Sequence, residues 1–125
     1  MSMARQKGKR GENEACEWIS KYLYFNKRML TRNHNQTFIG CDIVSPPFIF
    51  EVKRVETLHL DNWWIQIHKV FTVLKDNNQL FIPVVMFRQN NKAWEFLISA
   101  ETIGSDAGYI RLSQMVFKQW AKRYV

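Results

Sequence analysis

Residues 38–54, FIGCDIVSPPFIFEVKR, constrain the fold more than any other stretch of the chain. Two apolar runs, 38–44 and 48–52, are rich in Ile, Val and Phe, which suits strands. Ser45, Pro46 and Pro47 lie between them, and a Pro-Pro pair forces a turn. The pattern predicts a β-hairpin. If it is symmetric about the proline pair, Val44 faces Ile49, Ile43 faces Phe50 and Asp42 faces Glu51. Strands alternate faces with period two, so Glu51 and Lys53 share one face while Phe50 and Val52 point the other way.

Three charges in strands this apolar need an account. Directly opposed side chains on an antiparallel pair lie roughly 4.5–5.5 Å apart at Cβ. Asp42 and Glu51 would repel at that distance unless a cation sat between them, and a divalent metal with oxygen ligands fits. Lys53 would lie across from Gly40, whose missing side chain leaves room for a substrate. The plainer reading is a solvated charge pair on an exposed strand face. The hydrophobic residues that flank all three charges, and the register that opposes the two acids, favour the site.

Elsewhere the pattern is helical or strand-like in turn. Residues 1–10 read as a flexible basic arm, and Gly8 and Gly11 discourage an earlier helix start. From 11 to about 24, Ala15, Cys16, Ile19 and Leu23 fall at helical spacing. Glu12 shares their stripe, whereas Glu14 and Glu17 lie off it. Glu12 is then either an acid placed to suit a helix N-terminus or a third carboxylate aimed at Asp42 and Glu51, the reading favoured here. Residues 29–32 form a short strand, and 33–36 a polar link in which His34 reads as a solvated loop residue or a DNA contact. A second helix spans 60 to about 77, with Trp64, Ile67, Phe71 and Leu74 as its stripe and Asp61 or Asn62 as its cap. Gln66 lies one residue off that stripe. Strands follow at 81–87 and 94–98, and Ser113 caps a last helix to about 124, with Val116, Phe117 and Trp120 inward.

At 125 residues and 46% hydrophobic, the chain is expected to be one domain with a real core. No run of about 18 apolar residues predicts a membrane span, and the basic N-terminus lacks the apolar segment of a secretory signal. Cys16 and Cys41 read as small buried hydrophobes, which suits a reduced, cytoplasmic setting, that of the host for a viral protein. The chain carries 18 basic and 11 acidic residues, a formal charge of +7, with 14% aromatics. That balance suits a nucleic-acid partner. Arg5, Lys7, Lys9 and Arg10 all precede the first acid and would contact phosphate without reading sequence. No GxxxxGK phosphate cradle, helical HExxH or Ser/His/Asp pattern is present, so nucleotide hydrolysis and those peptidase chemistries are not expected.

An Asp on one strand followed by Glu-x-Lys on the next resembles the PD-(D/E)XK nuclease superfamily. KGKRGE at 7–12 is similar to the Lys-Gly-x-x-x-Glu opening of its archaeal-type Holliday-junction resolvases. The likeness is carried by KGxxxE, GCDIV and FEVKR in that order. It departs from the superfamily pattern at Cys41, which stands where a proline often precedes the Asp. The resemblance implies an α+β single domain over 11–125, a restriction-endonuclease-like αβββαβ core with a mixed central sheet flanked by helices, plus an extra strand and a C-terminal helix. It implies that Asp42 and Glu51 hold Mg²⁺ (Mn²⁺ as substitute), with the Val52 carbonyl as a further ligand. Glu12 would complete the shell or hold a second ion. Lys53 would orient water or stabilise transition-state charge. Gln66 matches a helix position that faces the site in many such nucleases; a surface amide is the equal alternative. Arg32 and Arg54 join the expected DNA contacts. The expected function is a metal-dependent endonuclease on branched DNA in recombination and repair, working as a homodimer. The alternatives are a same-fold nuclease on linear, nicked or flapped DNA, or a non-catalytic basic DNA-binding protein.

Overall fold

The computed structural model describes residues 3–23, 31–32 and 41–125, and the side chains of 10–23 and 41–125 among them. Helix α1 (Met3–Tyr22) is followed by β1 (Thr31–Arg32), β2 (Ile43–Ser45) and β3 (Phe48–Arg54). Helix α2 (Leu60–Asp76) then leads to β4 (Ile82–Arg88) and β5 (Glu95–Ser99). A 3₁₀ turn (Ala100–Ile103), β6 (Tyr109–Ser113) and helix α3 (Gln114–Ala121) complete the domain. The strands form one sheet in sequence order, β1 to β6. β3 and β4 are parallel and every other pair is antiparallel, so the sheet is mixed. A parallel pair needs a crossover, and α2 is it.

The hairpin has the register the sequence predicts: Val44 pairs with Ile49 and Ile43 with Phe50. Its alternation sets the two faces of the sheet. Phe48, Phe50 and Val52 join Ala15, Trp18 and Ile19 of α1 and Phe117 of α3 in one core. Ile49 joins Trp63, Trp64 and Ile67 of α2 with Val85, Phe87 and Leu97 in the other. In the first core the rings of Phe96 and Phe117 stack at 3.9 Å between centroids, 3° from parallel. Pro83 is tolerated inside β4 for a geometric reason. Ile82 N–H donates toward β3, to the Pro47 carbonyl, so the next residue faces β5. The β5 ladder starts only at Val85, and the N–H that Pro83 lacks has no partner to lose.

Several boundaries differ from expectation. The first helix starts at Met3, not Gly11, so most of residues 1–10 is helical. β6 is a strand that the sequence pattern does not predict. Its sequence YIRLS puts Ile110 and Leu112 against the first core, but it is short and half exposed at the sheet edge, which leaves a weak alternation signal. The N-cap of α2 is His59, with no side-chain hydrogen bond. Asp61 instead accepts a hydrogen bond from the Tyr109 hydroxyl, tying α2 to β6. Ser113 caps α3 as expected, through Val116 N–H at 3.3 Å. Val116, expected inward, is 46% exposed, because the core is met by Phe117 and Ala121. Cys16 is half-buried and Cys41 fully buried.

The stacked pair makes α3 integral to the domain. Phe117→Ala should cost about 3–5 kcal/mol, the range for a truncated buried phenyl. Urea unfolding read at an unchanged denaturant slope measures it; a loss below about 1 kcal/mol would mean that α3 packs without contributing to the fold.

Candidate metal centre

Glu51 sits on β3 between Phe50 and Val52, and its side chain lies on the α2 face of the sheet, as Ile49 does. Lys53 follows on the same face, with Nζ 3.5 Å from Glu51 Oε1. In β4 their neighbours are Val85 and Phe87, both apolar. Glu51 therefore has a hydrophobic wall on one side and is only 8% exposed.

Asp42 lies one residue beyond the end of the β2–β3 ladder. Its N–H donates to the Phe50 carbonyl at 3.0 Å. Its carboxylate Oδ2 accepts the Val52 N–H at 2.8 Å, where a longer β2 would have offered a backbone carbonyl. This holds the carboxylate against β3 beside Glu51, and the two carboxyls hydrogen-bond. In a strand the N–H and C=O of one residue point to the same edge. The Val52 carbonyl therefore faces the edge that Asp42 occupies.

Glu12 reaches this point from α1. It is half-buried, its carboxyl hydrogen-bonds to Asp42, and its charge acts on Glu51. Among the described residues, three carboxyls converge with one ammonium. Burial and the charge of Glu51 push Asp42 up to about 6, against the opposing hydrogen bonds from Val52 and Glu12. Burial raises Glu51 as well, although Lys53 draws it down. Burial and the charges of Glu51 and Asp42 push the Cys41 thiol up to about 12, so it is neutral. The site holds more negative charge than Lys53 neutralises, and it meets that excess by holding protons.

Hard oxygen donors in such surplus suit a divalent cation, which would replace the protons. Asp42, Glu51 and the Val52 carbonyl edge fit that role, with Glu12 beside them. Among the described residues, no group of three or more His, Cys, Asp or Glu side chains is placed to hold a metal ion together. The donor set is two carboxylates and a backbone edge, with a third carboxyl within hydrogen-bond reach.

The other expected residues fall elsewhere. Gln66 is on the exposed side of α2 and is not brought to the carboxylates. Arg54 turns to the opposite face, toward Glu14 at 3.4 Å, and its side chain is 15% exposed. Arg10 is exposed on α1. Arg5, Lys7 and Lys9 lie in α1 and Arg32 in β1, with side chains outside the described set, and His34 and Gly40 are outside the described residues. Glu14, which helical spacing puts off the buried stripe, is half-buried between Arg54 and Arg88. Its partners are distant in sequence, so that spacing could not reveal it. Two clefts beside α2, one of about 330 Å³ lined by Trp64, His68 and Asp106 and one of about 430 Å³ lined by His59, Asp61 and Tyr109, contain none of the three carboxyls.

No protein-family model matches the chain, and no curated protein does. Among solved structures it is similar to Hjc of Archaeoglobus fulgidus, described as a Holliday junction resolvase from an archaeal hyperthermophile. The two are 15% identical, with 91% of this chain and 99% of that one covered at a TM-score of 0.49. At that level of likeness, the reading of this site rests on its own residues.

The raised carboxyls give the metal-free protein a defined pH dependence. Below pH 4 both the folded and unfolded states carry the Asp42 proton. Between about pH 4 and 6 only the folded state keeps it, so stability falls as pH rises and levels off above about 6. Glu51 acts in the same direction. The Asp42 share is roughly 3 kcal/mol at most, from 1.36 kcal/mol per unit. In EDTA, Asp42→Asn should flatten this slope and gain on wild type at pH 7. A wild-type protein whose stability rises from pH 4 to 6 in urea titrations would contradict the carboxyl cluster.

Proposed function

We propose that the protein is a metal-dependent endodeoxyribonuclease acting on branched DNA, four-way junctions foremost, with Mg²⁺ (or Mn²⁺) as cofactor. The observation that carries the reading is the convergence of Asp42, Glu51 and Glu12, with Lys53 on the same face of β3 as Glu51. The preference for branched DNA is the finer part of the proposal. It is supported by the order of KGxxxE, GCDIV and FEVKR along the chain. A junction cut on two opposed strands calls for a two-fold dimer, and the reduced cysteines suit a cytoplasmic setting.

In this mechanism Asp42 and Glu51 would hold the cation through their carboxylates, and the Val52 carbonyl edge would add a neutral donor. A divalent ion held there would supply neutralisation of phosphate charge and a water of lowered pKa. Glu12 holds Asp42 in place by its hydrogen bond and offers further negative charge. Lys53 is 28% exposed at its side chain, so its ammonium is free to meet incoming phosphate while anchored to Glu51. It orients the attacking water or stabilises the charge that builds on the phosphoryl oxygens. The hydrophobic wall of Val85 and Phe87 excludes bulk water from that contact, which strengthens it. DNA is drawn in by the basic surplus, to which Arg5, Lys7, Lys9 and Arg10 on α1 contribute.

The test is Mg²⁺-dependent cleavage of a labelled four-way junction and of linear duplex of matching sequence, with binding followed in Ca²⁺. Asp42→Asn and Glu51→Gln should lose cleavage and bind DNA as well as or better than wild type, because a charge facing phosphate is removed. Lys53→Ala should lose roughly 10²–10³-fold in turnover, the scale for one transition-state donor. Cutting of junctions alone selects the resolvase reading, and cutting of both substrates selects a general nuclease of this fold. A wild type that binds DNA but cuts nothing with Mg²⁺ or Mn²⁺, like its variants, would replace the enzyme with a basic DNA-binding protein.

The basic residues of α1 are tested separately. Neutralising Arg5, Lys7, Lys9 and Arg10 should weaken binding to every DNA. The salt slope should fall by about 0.9 for each phosphate that the protein no longer neutralises. An unchanged slope from low to moderate salt would remove this segment from the DNA interface.

A further inference from the structure

We infer that Glu14, held between Arg54 and Arg88, is a positioning residue that sets the rotation of α1 and so presents Glu12 to Asp42. The inference rests on the metal-centre reading above. Arg54 and Arg88 end the parallel strands β3 and β4 and lie side by side in register. Each places a guanidinium nitrogen 3.4 Å from a different Glu14 oxygen. Arg88 also lies over the Trp94 ring, at 5.5 Å from its centroid, which fixes it from the far side. One carboxylate thus spans the ends of two neighbouring strands.

Gly11 completes the clamp. It is buried, and a Cβ there would come within 3.1 Å of Arg54 Cβ. Gly11 and Glu14 are three residues apart and share one face of the helix. That face is pinned to Arg54, next to Lys53 and three residues after Glu51. Glu12 is one residue, about 100° of rotation, from Gly11. With the Gly11–Glu14 face fixed on one side of the sheet, Glu12 is turned past the end of β2 toward Asp42, which belongs to the other side.

The ion pairs are not saturated. Glu14 Oε2 and the Nε of both arginines are buried without a hydrogen-bond partner. The clamp therefore works as two cations around one anion in a partly desolvated place, with a surplus positive charge. Replacing Glu14 by a neutral amide would leave two arginines repelling each other beneath α1. The core packing of Ala15, Trp18 and Ile19 would keep the helix attached but would not restore its rotation near Glu12.

The experiment titrates Mn²⁺ into DNA-free protein by calorimetry and follows amide hydrogen exchange at residues 11–16. Glu14→Gln should weaken Mn²⁺ binding roughly tenfold, the lower end for partners that orient a ligand, and speed exchange in α1 but not in β3. Glu12→Gln should weaken it similarly, and the Glu12→Gln/Glu14→Gln double variant should be no weaker than Glu12→Gln alone. Additive losses, or wild-type affinity in Glu14→Gln, would overturn the inference. If Glu14→Gln does not fold, Arg88→Gln is measured in its place with the same expected signs. If the wild type binds no Mn²⁺, the metal-centre reading is what fails. The exchange rates then decide the clamp alone: faster exchange at 11–16 upholds it and unchanged exchange removes it.

Discussion

The register of the β2–β3 hairpin is the constraint on which the rest depends. β3 pairs with β2 on one side and β4 on the other, so its alternation is imposed on both neighbours. A slip of one residue would turn Phe48, Phe50 and Val52 out of the first core and bury Lys53 instead. The slip would drive Glu51 and Lys53 among the aromatic rings of the first core, and burying charged groups without partners there costs several kcal/mol. The packing of both faces therefore fixes where the two charges stand. The site does not stabilise the hairpin; the hairpin forces the site.

That asymmetry explains how a buried acidic pair persists. Asp42 and Glu51 are both under a tenth exposed, and burial works against each of them as an anion. Nothing in the pair itself recommends this arrangement energetically. The ladder ends at Ile43, so the Asp42 carboxylate takes over the Val52 N–H that would otherwise lack a partner. This hydrogen bond partly offsets the cost of burial. The remainder is carried by the packing of the two cores, as strain at functional sites commonly is.

What is legible in the sequence is what acts over a few residues. The proline turn with its flanking apolar runs sets the hairpin register. The three-and-four spacing places Ala15, Ile19, Ile67 and Leu74 inside. The fold class and the order of helices and strands, β6 apart, follow from these. What cannot be read is what depends on distant partners. Glu14 meets Arg54 and Arg88 only after the sheet has formed. Asp61 is drawn from its capping position by Tyr109, on a strand that its own short, edge-exposed alternation hardly announces. Gln66 lies one residue from a buried neighbour, and only the rotation of α2, set by Trp63 and Ile67, decides that it faces water. The start of α1 is hidden because Gly8 and Gly11 count as helix breakers, at about 1 kcal/mol each. Gly11 instead serves a close approach to Arg54.

Charge is segregated in this chain in a way that bears on how it would meet a polyanion. The surplus is +7, yet at Glu12, Asp42 and Glu51 three acids meet, among the described residues, one nearby lysine. At distances beyond the Debye length of roughly 8–10 Å the surplus dominates what attraction survives screening. Within a few ångströms of Glu51 the sign reverses, and a phosphate would be repelled. On the proposed function, a chain with a basic surplus and an acidic centre would attract a phosphodiester broadly but admit it to the centre only when a cation, or protons, cancel the carboxylates. Protons do so below about pH 6, where Asp42 is neutral. At higher pH a divalent ion is the remaining means. On the proposed function, the same arrangement that makes the centre costly to fold would couple close approach of the substrate to the arrival of the ion.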